Sequence, residues 1–366
     1  MKIAIDISQV VYNTGVSRYT KNILKNLLRV GPKNEYILFG GSLRRSNDLK
    51  NFTKELKGRF QTRFFPIPPT LADILGNIVH FPNIEFLIGE IDVFHSSDWS
   101  QPPSSAFKVT TIHDLAPLLL PEFTPKRVVS VHTRRLDWVK READRIIVPT
   151  NATENDLINL GFDQRKIRVI YEGVDPIFKA RTEFEVQSLK RKLGVKTNYL
   201  LGIGVNRRKN TDRIIQAFKK LKDEQGLRLW RKDLKLVLVG HKYEDIKSDE
   251  GIIFAGHVKD EDMPVLYSGA SALVYPSLYE GFGLPILEAF ACNCPVVTSN
   301  ISSMAEVAKN AAVLVNPQSV DSIAEGIEKA VLARSVLTHR GLERVKEFSW
   351  EKAGRETLKI YEEFKA

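Results

Sequence analysis

The sequence predicts an α/β protein made of two doubly wound domains that face a cleft. Three observations predict it. Short apolar strands alternate with amphipathic helices from Lys2 onward. The alternation lapses near residues 172–185, a charged stretch with Gly and Pro and no clear period, and then starts again. The length of 366 residues suits two domains, and 43% apolar with 27% charged residues is an ordinary globular composition.

Bulk properties exclude several classes. No apolar run approaches the roughly 20 residues of a spanning helix. The start carries Asp6 where a leader would be apolar and continues as a strand, so a cytoplasmic protein without a signal peptide is expected. The two cysteines, Cys292 and Cys294, have neither redox nor zinc-pair spacing and read as buried free thiols. A net charge of +10 suggests anionic partners. Nucleotide phosphates and an anionic membrane surface fit. Nucleic acid is not expected, because no aromatic-basic repeat or finger spacing accompanies the charge.

In chain order, 2–7 reads as a buried strand. It leads through Asn13-Thr14-Gly15 into a helix over 16–28 with the stripe Ile23, Leu24, Leu27 and Leu28. A glycine turn before a helix start suits an anion, and a plain turn reads the same way. Residues 35–39 read as the second strand. The next twenty residues are polar and basic, either a solvated surface or a contact for anionic headgroups or a phosphorylated acceptor, and 64–69 is a turn-rich break. A strand over 91–95 opens into a loop with Trp99, which either stacks on an acceptor or anchors the loop. The strand over 107–112 ends at His113-Asp114. Ligands of open α/β sheets gather at such strand ends. A long helix over 124–144 carries a core stripe and a basic face. A strand over 145–148, a helix capped by Thr150 or Asn151 and ended by Gly161, and a strand over 167–171 close the first domain.

The second domain opens with a strand over 199–204 and the block Val205-Asn206-Arg207-Arg208-Lys209-Asn210, then a helix to about 223. Gly202-x-Gly204 lacks the third glycine of a dinucleotide fingerprint. Arg207, Arg208 and Lys209 at a strand end suit a diphosphate. Strands over 234–239 and 252–255 end at Gly240-His241-Lys242 and Gly256-His257-Val258. Asp260-x-Asp262 has the form of a metal-binding pair but lies where acids cap a helix. The strand 272–275 then leads to Tyr279-Glu280-Gly281-Phe282-Gly283-Leu284-Pro285-Ile286-Leu287-Glu288. Pro285 suits the first helical turn, Gly281 and Gly283 allow close approach, and the Gly283 and Leu284 N–H groups face outward for a phosphate. Glu280 and Glu288 would be repelled by phosphate, so they read as acceptors for neutral sugar hydroxyls. Residues 299–306 and 311–315 are expected to complete the second sheet, followed by two helices and a terminal helix over 349–365.

These motifs resemble those of the retaining glycosyltransferases of family 4, with the GT-B fold of two Rossmann-like domains. The resemblance is carried by EGFGLPILE continuing EAFACNCPVVTSN, by TIHDLAPLLLPEFTP, ADRIIVPTNATENDL and KIRVIYEGVDPIF, and by RRKNTDRIIQAF, LVLVGHK and FAGHVKDEDMPVLYSGASALVYPS. It implies an acceptor-side domain over 1–175, a hinge over 176–185, a donor domain over 186–348 and a C-terminal helix over 349–366 that crosses back. It implies that Gly15 approaches the donor diphosphate, that Lys209 with Arg207 or Arg208 neutralises it, and that Gly240, His257 and Val258 border the base. It further implies that Glu280, Phe282, Gly283 and Leu284 hold the sugar and phosphates, that Glu288 holds the ribose, and that His113 lies by the transferred sugar. Trp99 and Asp114 are placed on the acceptor side. The pattern departs at Val205, where an Arg is common, and at Asn293-Cys294, where Gly-Thr is usual.

The implied function is metal-independent transfer of a hexose, with mannose from GDP-mannose favoured, to a glycan or lipid-linked acceptor. No cofactor is implied. UDP-hexose is the rival donor. A sugar-nucleotide 2-epimerase and a non-catalytic binding protein are the rival classes. Attachment to the inner face of the plasma membrane is expected from the basic runs.

Overall fold

In the computed structural model, residues 1–12, 14–192, 194–195, 197–223, 233–241, 246 and 249–365 are described. Asn13 and Lys242, named above, lie outside them. The chain divides into two compact units, Met1–Gly173 with Ser349–Ala366, and Val174–Phe348.

The first unit holds a seven-stranded sheet: β1 Lys2–Asp6, β2 Glu35–Gly41, β3 Phe60–Phe65, β4 Val93–Ser96, β5 Phe107–Thr111, β6 Arg145–Val148 and β7 Ile167–Val169. Their order is β3-β2-β1-β4-β5-β6-β7, and every pairing is parallel. Parallel strands need crossovers, and helices on both faces explain why β1, β2 and β4 are buried almost without alternation. The second unit holds six parallel strands: β8 Tyr199–Ile203, β9 Lys235–Val239, β10 Ile252–Gly256, β11 Ala272–Tyr275, β12 Val296–Ser299 and β13 Val313–Val315. Their order is β10-β9-β8-β11-β12-β13. In both parallel sheets the strand order therefore reverses at one place, between β1 and β4 and between β8 and β11. A crevice opens at the carboxyl ends of the strands at such a switch point.

The chain's last helix, Trp350–Glu362, belongs to the first unit. It packs on the Gly15–Val30 helix, where Gly354 lies against Asn26. Tyr361 reaches the buried His95, with its hydroxyl 2.6 Å from Nδ1. Arg29 pairs with Glu351 at 2.6 Å across the same seam.

Three expectations are corrected. Phe64 and Phe65 end the edge strand β3 rather than open a turn-rich break, while the basic run before them lies on and beside the Ser46–Lys54 helix and β3 with Arg44, Arg45, Lys50, Lys54, Lys57, Arg59 and Arg63 all exposed, as expected of a solvated surface. Gln61, Thr62 and Arg63 of β3 are exposed at the sheet edge, while Phe65 packs on the core beside Phe39. Residues 302–308 form a helix rather than a strand, and the strand is Val296–Ser299. The stretch taken as irregular to 185 already begins the Glu183–Lys192 helix.

Candidate active site

The second unit's switch point is built by two loops, one after β8 and one after β11. Gly204 leaves β8 with φ +82°, and a Cβ there would stand 2.9 Å from Lys209 Cγ. The turn is closed by its own side chains. Asn206 Oδ1 accepts from Lys209 N at 2.9 Å, and Thr211 Oγ1 accepts from Asn206 N at 3.1 Å. Asn210, at φ +63°, donates from Nδ2 to the carbonyls of Pro276 and Pro317 at 2.9 and 2.6 Å. The two loops are stitched directly: Leu278 N donates to Arg208 O at 2.9 Å, and Arg208 Nη1 donates to Tyr279 O at 2.8 Å. Ser303 Oγ donates to Glu280 O at 2.6 Å and fixes the far side.

These restraints bring Arg208, Lys209 and Glu280 together. Lys209 Nζ lies 2.7 Å from Glu280 Oε1, and Arg208 Nη1 lies 3.0 Å from Oε2. Lys209 Nζ also donates to the Tyr275 hydroxyl and sits 4.7 Å from that ring's centre. Glu280 is 8% exposed. Burial pushes its carboxyl up, but Lys209 and Arg208, with hydrogen bonds from Lys209 and Ser277, outweigh burial and hold it below its usual range. The cluster has two cations and one carboxylate, so it keeps positive charge for an anion. Arg207 is exposed. Val205, in place of the common Arg, is 5% exposed and packs in the core with Ile214 and Leu238.

Three residues after Glu280, the chain turns into a helix. Gly283 has φ +101°, a conformation that favours glycine, and serves as N-cap of the Leu284–Ala291 helix with Pro285 in the first turn. No side chain caps this end. Phe282 is buried edge-on to Phe348, with centroids 5.8 Å apart, which fixes the loop's apolar side. Glu288 is 3% exposed and Oε2 accepts from the Tyr267 hydroxyl at 2.7 Å. Gly240 N donates to Gly256 O at 2.8 Å, which ties the ends of β9 and β10. His257 is exposed and Val258 half-buried beside that tie. Asp262 occupies the N-cap of the seven-residue Met263–Gly269 helix, but its carboxylate makes no capping hydrogen bond, contrary to the sequence reading. Among the described residues no group of three His, Cys, Asp or Glu side chains could hold a metal ion. Cys292 and Cys294 are buried and free, and burial raises the Cys294 thiol to about 12.

In the first unit, His113 stands just past β5. Its Nδ1 is 3.7 Å from Glu172 Oε1, and its ring meets Tyr19 edge-on at 4.5 Å. It lines a small cavity with Asp6, Gln9, Ser97 and Asp98. Beneath it Arg135, 1% exposed, donates to Thr110 Oγ1 at 2.8 Å and Thr111 O at 3.1 Å, and pairs with Asp98 at 3.3 Å. A second, larger pocket adjoins across Asp6, Gln9 and Ser97, and is walled mainly by apolar side chains including Trp99. Burial raises the Asp6 carboxyl despite two hydrogen bonds from Ser8. Trp99 Nε1 donates to Pro69 O at 3.0 Å, so the ring is both an anchor and a pocket wall. Asp114 Oδ1 accepts from Ala116 N at 3.0 Å in a local turn. Gly15 is the first residue of its helix, has ordinary φ, and faces open space where a Cβ would stand. The backbone therefore does not require glycine there.

Sequence reasoning missed Gly204, Tyr275, Ser303 and Tyr267. Gly204 was visible only as part of an incomplete fingerprint. Tyr275 reads as the end of a buried strand, and only the Gly204 turn brings Lys209 over it.

Comparison with known proteins matches residues 13–178 to the family Glycosyltransferase Family 4, and residues 185–343 to Glycosyl transferases group 1. The chain is 32% identical over 284 residues to O-antigen chain mannosyltransferase B of Escherichia coli, covering 74% of each chain. It is 31% identical over 210 residues to O-antigen chain mannosyltransferase RfbU of Salmonella typhimurium, covering 57% of this chain and 56% of that one. The structure resembles sucrose-phosphate synthase from Thermosynechococcus elongatus with a TM-score of 0.74 at 19% identity, over 99% of this chain and 98% of that one.

Proposed function

Because the chain belongs to the glycosyltransferases that join a Family 4 half to a group 1 half, with the GT-B fold, we propose that it moves mannose, with retention, from GDP-mannose to a glycan or lipid-linked acceptor. The observation that carries this reading is the Arg208–Glu280–Lys209 cluster at the β8/β11 switch point, next to the start of the Leu284–Ala291 helix. Breaking an anomeric C–O bond releases a nucleoside diphosphate, so negative charge grows on the leaving group. Lys209 and Arg208, with the N–H groups of Gly283 and Leu284, supply fixed positive charge for it. No metal enters this reading. Glu280 accepts from sugar hydroxyls and Glu288 from the ribose, both being buried carboxylates with hydroxyl partners at hand. Gly15 and His113 are the first unit's share, His113 being assigned to the transferred sugar. The displacement proceeds on one face of the sugar. The acceptor oxygen bonds to the anomeric carbon as the diphosphate leaves with the bonding pair, and the departing phosphate oxygen takes the acceptor's proton.

The mannosyltransferase relatives favour GDP-mannose. Thermal unfolding with GDP, UDP or ADP, each with EDTA or magnesium, tests the donor. A bound nucleotide raises apparent stability by mass action, about 2.7 kcal/mol at 100 times its Kd. GDP should raise the melting temperature in EDTA. A response to UDP alone would replace the donor by a UDP-hexose. A response that needs magnesium would remove the metal-independent part, and no response to any nucleotide would refute the donor site.

A further inference from the structure

Six large apolar side chains, Leu71, Ile74, Ile78, Val79, Phe81 and Phe86, are between 38% and 78% exposed within one short segment of the first unit. Scattered exposed apolar residues are normal, but a run of this kind marks an interaction surface. Loose packing does not explain it. The segment's inner side is held by Trp99 Nε1 on Pro69 O, Ser100 Oγ on Ala72 O and Trp138 Nε1 on Asn77 O, each at 3.0 Å. His80 lies flat on Trp138 with centroids 3.6 Å apart. Leu71, Ile74 and Ile78 are spaced so that they share the outer face of consecutive helical turns.

The same segment has a second use. Its inner residues Pro69, Ala72, Leu75, Pro82, Ile84 and Leu87 wall the larger pocket of the first unit. That pocket shares Asp6, Gln9 and Ser97 with the cavity at His113. An apolar outer face, an apolar pocket and a polar cavity with a histidine thus follow one another in one unit.

The charges around the segment select the partner. Its acids are engaged: Asp73 pairs with Arg134 at 2.6 Å, and Glu85 Oε1 accepts from Ser104 and Ser105. The neighbouring Lys126–Glu142 helix runs beside it, with Arg127 donating to Thr70 Oγ1 at 2.7 Å and Arg141 over Trp138. On that helix Lys126, Arg127, Lys140 and Arg141 are exposed. Apolar side chains bordered by exposed cations fit an anionic lipid surface, where the first enter the acyl boundary and the second meet the headgroups.

We propose that the outer face of residues 69–88 docks on an anionic lipid bilayer, and that the pocket behind it receives the apolar portion of a lipid-linked acceptor. The docking stands on its own, and only the acceptor's route rests on the transferase reading. The test is flotation of the full chain with vesicles of phosphatidylcholine alone and of phosphatidylcholine mixed with phosphatidylglycerol. Ile78→Ser/Phe86→Ser is compared with Lys126→Ser/Arg141→Ser and with the unaltered chain. The unaltered chain should float with the mixed vesicles and weakly with the neutral ones. The apolar pair should lose about tenfold or more in binding, with its melting temperature kept, since each buried CH₂ contributes a fixed increment. The basic pair should lose binding to the mixed vesicles only. Absence of flotation with the mixed vesicles, or unchanged flotation of the apolar pair, would overturn the proposal. So would a dimer of the unaltered chain that the apolar pair dissolves, because a second copy would then cover the face. Nucleotide-induced stabilisation of the apolar pair reads the donor site separately, so failure here leaves that reading intact.

Discussion

Gly204→Ala tests the site through a residue that touches no reacting group. The new Cβ would stand 2.9, 3.2 and 3.3 Å from Cγ, Cε and Cδ of Lys209. Backbone at φ +82° adds about 1–2 kcal/mol for a residue with a Cβ. The contact is relieved most cheaply if the lysine swings away, which breaks its 2.7 Å pairing with Glu280 and its bond to Tyr275. A charged hydrogen bond of this kind contributes about 1.5–3 kcal/mol. Arg208 stays on the other carboxylate oxygen, so the loss in unfolding free energy should be about 2–4 kcal/mol rather than that of a lone buried charge. Transfer should suffer more. Withdrawing one preorganised cation from a leaving group costs about 10²–10³ in kcat, as for other fixed charge-stabilising donors. The assay is sugar transfer by Gly204→Ala, Lys209→Met and the double variant. If Gly204 acts by placing Lys209, the double variant is no slower than Lys209→Met, since residues acting through one another are not additive. Wild-type turnover in Gly204→Ala, or full additivity in the double variant, would refute the reasoning.

Two further outcomes follow from ionisation. Glu280's folded pKa lies below its unfolded value near 4.5, so its contribution to stability is complete above that pH and is lost as pH falls through the lower folded value. Glu280→Gln should therefore remove the part of the acid-unfolding curve below the ordinary carboxylate range, and should slow transfer; an unchanged acid limb together with unchanged turnover would contradict the pairing. His95 behaves differently: burial, with smaller effects of His113 and Arg135, lowers it from 6.5 to about 3. The unfolded chain then binds the extra proton between those values, so stability is complete above 6.5 and falls as pH drops, at about 1.4 kcal/mol per pH unit for one group. In urea titrations, His95→Gln should lower the slope of stability between pH 6 and pH 4 by about that amount, and an equal slope would place the proton elsewhere.

Elements buried on both faces were legible because their sequences are nearly unbroken apolar runs, as at Ala272–Tyr275. β3 was not: three of its residues, Gln61, Thr62 and Arg63, are exposed at the sheet edge, and nothing in them marks a strand. The 299–306 reading failed for another reason. Val296–Ser299 is too short to declare itself beside Cys294-Pro295, and the helix after it has no side-chain cap at Ile301 to mark its start. In the site, residue types at strand ends pointed to Lys209, Glu280 and His113. What they could not give was pairing. That Arg208 turns inward to Glu280 while Arg207 stays exposed depends on Leu278 N meeting Arg208 O, a long-range backbone bond that no local pattern encodes.

On the proposed reading, the cluster also accounts for why Glu280 need not repel a diphosphate. A carboxylate alone at such a place would oppose the ligand, and two cations alone would be costly to bury so close together. Shared between Lys209 and Arg208, the carboxylate holds both cations at fixed positions and leaves the group one positive charge in excess. The excess is then available where the β8 and β11 loops meet. Fixed charge of this kind favours the state in which an anion has just formed, because little must move to meet it. Tyr275 and Gly204 serve the same end from beneath, the one accepting from Lys209 and the other leaving room for its stem. The excess charge is therefore set by the turn after β8 as much as by the signature after β11.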